Sequence, residues 1–434
     1  MMNFLFTKTP LAFLVASFWR DEAFSYLMAR LPLGSLLWST AQDSNPPLYY
    51  LFLKIWMIFF GHSELALRSV SLLFFWATIF VTYKILHESI GLTKKTSLWY
   101  LLFVILNPLL HYYAFEARMY TMMAFFGTTL FYLLLKKNYR LYAVTALLGL
   151  FTHYFLVLIL LLHAIYIFIL NKREIKSFIR PLIQTLPFYI PWVIFVLFAR
   201  PPIGEQFWIV PQQWTDILFL PAVLLTGYDN GTWVLFSYLP FLSAVVWGLI
   251  FYYFKQLPHS KLKRNTLILL AGWSLGIPIF IYVISFWKPV FLPRYLIFSS
   301  VAVTILIIYA LEIIKNKYFR YGILSLIVVF NCIYARNQIQ MRVKAPLKNT
   351  FLAIQRVIRK NDVIYVTHEY NFHPAQYYMP KTKVYIYQKT YEELPWYVGK
   401  VLIHKENMVT TFPIYPARAF ILNDDGSVSI RSSR

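Results

Sequence analysis

The residues able to do chemistry gather near the start of the chain. Asp21 and Glu22 in WRDEAFSY are adjacent carboxylates set directly after the first apolar run. A third acid, Asp43, opens QDSNPPLYYLFLKIWMIFFG, and Arg68 in SELALRSV stands where the next long apolar run begins. Two carboxylates side by side repel each other, so their adjacency asks for a reason. One could take a proton from an attacking hydroxyl while the other orients it, binds a sugar or coordinates a divalent cation. The same pair also reads as the hydrated end of a helix at a membrane boundary, where a charge facing water costs little.

Three later stretches carry the remaining candidates. In HYYAFEARMYTMM, Glu116 and Arg118 lie among His111, Tyr112, Tyr113 and Tyr120, which suits either a phosphate or sugar platform or an ion pair within an aromatic belt. His153 in GLFTHYFLVL falls in a turn between apolar runs, whereas His163 sits deeper and reads as a core histidine. In KPVFLPRYLIF, Lys288, Arg294 and Tyr295 border a proline-bounded turn. A guanidinium there grips phosphate in bidentate fashion or snorkels as an anchor. The chain has no GxGxxG, no GxxxxGK[ST], no HExxH and no DxD, so a cytoplasmic nucleotide, a zinc protease site and a nucleotide-sugar metal site lack support.

The elements that must position these residues are membrane helices. Of 434 residues, 59% are hydrophobic, 20% aromatic and only 14% charged, and the mean hydropathy is +0.56, which is the make-up of a polytopic membrane protein. The net charge of +23 does not point to nucleic acid, because most of the Lys and Arg residues form short clusters between apolar runs instead of one stripe. The single cysteine, Cys332, excludes disulfides and cysteine-rich metal sites. About 11 spans are expected, near residues 4–19, 66–86, 97–113, 119–135, 141–152, 154–170, 181–199, 233–254, 265–287, 295–314 and 321–335, with 141–170 alternatively one long tilted helix.

Positive clusters at Lys84 to Lys95, Lys136 to Arg140, Lys172 to Arg180, Lys255 to Arg264 and Lys315 to Arg320 mark cytoplasmic loops. Parity then puts the N-terminus in the cytoplasm and the loop 20–65 outside, with Glu116, Glu205, Asp216 and Asp229 also outside and Glu88, Glu174 and Glu312 inside. Residues 47–60 are too short to cross and carry Lys54 mid-run, so they read as an amphipathic helix lying in the outer interface. After a transmembrane domain of residues 1–335, residues 336–434 read as a small extracytoplasmic α/β domain: a helix in FLAIQRVIRK and strands in NDVIYVTH, TKVYIYQK, KVLIHKEN and ARAFILND.

Taken in order, the Asp-Glu pair, the acid before Pro-Pro-Leu-Tyr-Tyr, Leu-Arg-Ser, Glu-Ala-Arg-Met-Tyr, Thr-His-Tyr-Phe and Pro-Arg-Tyr resemble the GT-C integral-membrane glycosyltransferases. The resemblance covers roughly residues 1–335 and is to the branch of protein O-mannosyltransferases and bacterial aminoarabinose-to-lipid-A transferases. It implies a sugar donor on a polyprenyl phosphate in the cell membrane, an acceptor hydroxyl on a lipid, glycan or protein, and inversion at the anomeric carbon on the outer face. It also implies Asp21 as base, Glu22 as its neighbour and Arg68 as support for the loop or the donor. Asp43 departs from the pattern of some relatives, which carry an acid nearer Pro-Pro, where this chain has Ser44 and Asn45. From the residues themselves, a leaving phosphate needs cations, and Arg118, Arg294 and Lys288 are those at outer span ends. Glu22 beside Asp21 is expected to raise its basicity. A lipid-linked glycan ligase or polymerase is the competing enzyme class. A transporter or flippase would call for similar broken helices in two halves, which the sequence lacks.

Overall fold

The computed structural model describes residues 7–43, 45–199, 208–228, 239–256, 261–342 and 344–434; Ser44, Glu205 and Asp229 lie outside the described residues. Three short helices come first: α1 (Arg20–Arg30), α2 (Leu33–Gln42) and α3 (Leu48–Phe60). The helical bundle follows as α4 (Glu64–Ser89), α5 (Lys94–Ile105), α6 (Pro108–Ala114), α7 (Tyr120–Leu135), α8 (Tyr139–Leu150), α9 (Leu156–Leu170) and α10 (Lys172–Ala199). It continues with α11 (Trp214–Thr226), α12 (Leu239–Lys255), α13 (Arg264–Ile284), α14 (Pro293–Ile313) and α15 (Lys317–Met341). Among the described residues, five of these helices are long and apolar enough to cross a bilayer, or six if α5 and α6, bent by 72° at their junction, form one broken span.

Local chemistry sets the breaks. Ser63 accepts the Ala66 N–H and starts α4, and Thr93 accepts the Thr96 N–H at the start of α5. At the α5–α6 bend Asn107 accepts the Leu110 N–H ahead of Pro108. Its amide also donates to Ser300 Oγ at 2.9 Å and Thr304 Oγ1 at 3.1 Å, tying the bend to α14. Helix α14 is the axis of the bundle, with 83% of its most apolar window buried against 11% for α10 and 17% for α15, which turn apolar side chains to the lipid. At Gly127 a Cβ would lie 2.7 Å from Phe298 Cβ, so α7 approaches α14 over a glycine.

The span expected near residues 4–19 is not a continuous helix. Its described part is helical only at Thr7 and Lys8 and in the single turn Ala12–Val15, and then runs without helix to Trp19. Pro10 interrupts the run, and the carbonyls of Leu14, Ala16 and Ser17 accept from the Arg68 guanidinium at 2.8, 2.7 and 3.4 Å in place of helical N–H groups. The helix at 47–60 forms as α3. Its 13 residues reach only about 20 Å, short of a bilayer core of about 30 Å. Lys54, the odd charge in that run, donates to the Ala29 and Leu31 carbonyls at the end of α1, at 3.2 and 2.8 Å.

Beyond α15 the chain builds helix α16 (Leu347–Gln355), strand β1 (Val363–Val366), helix α17 (Phe372–Tyr378) and strands β2 (Val384–Tyr387), β3 (Met408–Val409), β4 (Ala419–Leu422) and β5 (Val428–Arg431). The sheet order is β3-β2-β1-β4-β5, parallel except for β5 against β4. KVLIHKEN is not a strand: it forms the 3-10 turns Lys400–Leu402 and Lys405–Asn407. The first of these packs on α1 and α2 with Ile403 buried beside it, and this tertiary contact overrides the strand-like alternation. FLAIQRVIRK starts its helix earlier, at Leu347, and leaves it after Gln355.

Candidate active site

Helix geometry explains the adjacent acids. Successive residues on a helix point about 100° apart, so at the start of α1 Asp21 and Glu22 face different surroundings.

Glu22 faces inward and is fully buried. It accepts a bidentate pair from Arg68, Nε to Oε1 at 2.7 Å and Nη2 to Oε2 at 2.8 Å, and further bonds from the Ala117 N–H at 3.0 Å and Lys344 Nζ at 2.6 Å. Burial alone would raise its pKa, but Arg68 and Lys344 reverse that and hold it ionised. Lys344 also stands 3.9 Å from Glu116, whose carboxyl burial and the nearby Glu22 and Asp21 push upward. Four elements thus meet in one dry charge cluster. A buried pair of this kind is costly to break on one side only.

Asp21 faces a cavity of about 210 Å³ whose lining includes Arg20, Asp43, Arg118, Tyr120, His153, Trp208, Arg294, Tyr295, Trp396 and Tyr397. Arg20 Nε donates to Asp21 Oδ1 at 2.9 Å, and Arg118 Nη2 stands 3.9 Å from Oδ2. Arg118 Nη1 also reaches the Asp21 carbonyl and Ser25 Oγ, each at 3.4 Å. Burial pushes the Asp21 carboxyl up, but Arg20, Arg118 and Arg294 outweigh it and bring the pKa down to about 2. The expected rise in basicity from Glu22 is therefore corrected: that neighbour points away and is neutralised, and the cations facing Asp21 decide its state.

Arg294 lies over the rings of Trp208 at 4.9 Å and Tyr295 at 5.7 Å. The Nε atoms of Arg118 and Arg294 are buried and find no hydrogen-bond acceptor among the described residues, which leaves donor capacity at the cavity wall. His153 accepts the Phe155 N–H through Nδ1 at 3.2 Å. Burial and then Arg118 lower its pKa to about 3, so its ring is neutral at pH 7. Asp43 accepts from the Asn45 amide at 3.3 Å. No three His, Cys, Asp or Glu side chains among the described residues converge as a metal site.

The candidates therefore divide. Asp21, Asp43, Arg118, Tyr120, His153, Arg294 and Tyr295 line one cavity. Glu22, Arg68 and Glu116 are buried behind it and do not line it, and Lys288 is exposed outside it. Sequence reading passed over Arg20, although it adjoins Asp21, and Trp208 in FWIVP. It also passed over Lys344, in RVKAP, and the Trp396–Gly399 turn, in PWYVG, because both lie beyond the bundle and no local pattern assigns them to it.

A helical bundle with a bent pair of helices, three short helices after the first segment and a small α/β domain walling the cavity make up a fold of the GT-C class. The chain has the fold of ArnT from Cupriavidus metallidurans. The apo structure superposes with a TM-score of 0.64 at 12% identity over 95% of this chain and 90% of that one. The structure bound to undecaprenyl phosphate gives 0.62 at 12% identity over 97% and 91%. No protein-family model matches the chain, and no curated protein sequence matches it.

Proposed function

We propose that this protein is an inverting glycosyltransferase that moves a sugar from a polyprenyl-phosphate carrier to an acceptor hydroxyl on the outer face of the cell membrane. The observation that carries this reading is one carboxylate and two guanidiniums, Asp21, Arg118 and Arg294, on a single cavity at the end of an apolar bundle. That a protein of the same fold is known bound to undecaprenyl phosphate supports a polyprenyl-phosphate partner.

The acceptor oxygen forms the new bond to the anomeric carbon as the bond from that carbon to the phosphate oxygen breaks. The bonding pair leaves on the phosphate, and the acceptor proton passes to Asp21. A phosphate leaving group needs no proton, but its growing charge needs fixed cations, which Arg118 and Arg294 supply with unused donors. An anion held by these two arginines competes with Asp21 for their field. Donor binding therefore raises the basicity of Asp21 at the moment a base is required. Asp43, Tyr120, His153 and Tyr295 shape the sugar pocket, and the membrane keeps the carrier tail within reach of it. The positive loops at the opposite span ends support the outer-face orientation.

The test is Asp21→Asn in protein reconstituted with a polyprenyl-phosphate sugar. Transfer is expected to fall by at least about a hundredfold, the low end for a lost general base, with expression unchanged. Full activity would remove Asp21 as base.

A further inference from the structure

One contact runs from the α/β domain to the base. Shortly after β1, the 3-10 turn Glu369–Asn371 carries Tyr370, and the Arg20 guanidinium carbon lies 4.5 Å from the centre of its ring. Arg20 Nε in turn donates to Asp21 Oδ1 at 2.9 Å. We propose that Tyr370 is a positioning residue for the reaction: its ring holds Arg20 on Oδ1 of Asp21, which leaves Oδ2 as the oxygen that takes the acceptor proton. The assignment rests on the glycosyl-transfer reading.

Tyr370 is itself fixed. His368 Nδ1 accepts the Tyr370 N–H at 3.2 Å, the two rings lie 4.5 Å apart, and the buried Glu369 between them is paired with Lys389. With Arg20 and His368 both against it, the ring has a cation to hold and not a substrate to stack on. A guanidinium drawn to the negative face of an aromatic ring is confined near it, and Trp19, 5.9 Å from the same carbon, confines it further. Without that hold, Arg20 is free to swing toward the donor phosphate and leave the carboxylate unfixed. On the other oxygen, Oδ2 stands 3.9 Å from Arg118 Nη2, beyond hydrogen-bond reach, so it is open to an acceptor hydroxyl. That hydroxyl oxygen bonds to the anomeric carbon, the bonding pair leaves on the phosphate and the proton goes to Oδ2. The groups facing Asp21 besides Arg20 are Asp43, Glu116, Arg118, Tyr50 of α3, and Arg294 and Tyr295 of α14. His373 and Tyr397 of the α/β domain also face Arg20. Arg20 is the group that touches both the Asp21 carboxylate and the Tyr370 ring.

The test treats the full chain in nanodiscs with dicyclohexylcarbodiimide, which modifies protonated carboxyls, and reads the Asp21 adduct by mass spectrometry, alongside undecaprenyl phosphate binding. At about pH 6 the adduct is expected to form about tenfold faster in Tyr370→Leu than in the parent. A carboxylate that loses its cation rises by about one pKa unit or more, and each unit is tenfold in protonated fraction. Tyr370→Phe, which keeps the ring, matches the parent. In an Arg20→Ala background Tyr370→Leu adds nothing, as for two residues acting in series. Undecaprenyl phosphate binding is unchanged in both Tyr370 variants. Parent-like labelling of Tyr370→Leu, equal gains in the Leu and Phe variants, or the same gain without Arg20 overturns the proposal, the last because the ring would then only shield Asp21 from the reagent. So does a loss of undecaprenyl phosphate binding confined to Tyr370→Leu, which would make Tyr370 merely structural. A parent that does not bind undecaprenyl phosphate takes down the transfer reading, whereas the labelling still decides whether Tyr370 acts through Arg20.

Discussion

Asp21 and Glu22 are neighbours in sequence with different surroundings, and only their partners tell them apart. Glu22 is locked to Arg68 and Lys344, while Asp21 looks into the cavity between Arg20 and Arg118. A folded-state pKa of about 2, against about 3.9 for a free aspartate, has a definite sign. Asp21 adds stability above the unfolded value and loses it as pH falls through the folded one. For catalysis, kcat/KM reports the free enzyme, so no acid limb from Asp21 is expected above about pH 4, whereas kcat reports the donor-bound enzyme and its limb lies higher. A pH-rate series separates the two. Coincident limbs would mean that the donor phosphate does not share the arginines. At this scale the sequence told which residue types matter, since a carboxylate pair and isolated arginines stand out in apolar surroundings. It did not tell which acid was free, because the decisive partner, Lys344, is 322 positions away from Glu22.

Among the elements, the extended segment before α1 and the start of α4 form one unit through Arg68. Arg68→Ala leaves Glu22 buried with one cation fewer and frees three carbonyls, at an expected cost of about 3–5 kcal/mol, read as a lowered melting temperature in detergent. A variant as stable as the parent would show that the cluster is solvated. The interfacial placement expected for α3 has its own check. With Cys332→Ser as background, His62→Cys between α3 and α4 is expected to react with an impermeant label from outside intact cells. Labelling only after permeabilisation would reverse the topology. Most helices of the bundle could be read from apolar run length. The first could not, because a buried arginine took its carbonyls, and KVLIHKEN could not, because docking onto α1 and α2 outweighed its alternation.

For the molecule as a whole, the α/β domain is part of the site. Trp396–Gly399 walls the cavity, Lys344 and Lys348 reach Glu22 and Glu64, and α17 packs on α1. Gly399 is a tight point of that wall. It holds φ +79°, and a Cβ there would meet Phe24 Cδ2 at 2.6 Å and His373 Nε2 at 2.7 Å. Gly399→Ala is therefore expected to loosen the domain from α1 and cut transfer by about tenfold or more, the scale of a displaced site wall; wild-type kinetics would show that the wall can give way. The charge cluster also orders the protein's manufacture. Glu22, Arg68 and Glu116 leave the ribosome early and together carry one surplus acid in a dry seam, and the lysine that balances it arrives only after the last helix of the bundle. A chain released before that lysine keeps its seam unbalanced and its cavity open on the side that Trp396–Gly399 walls.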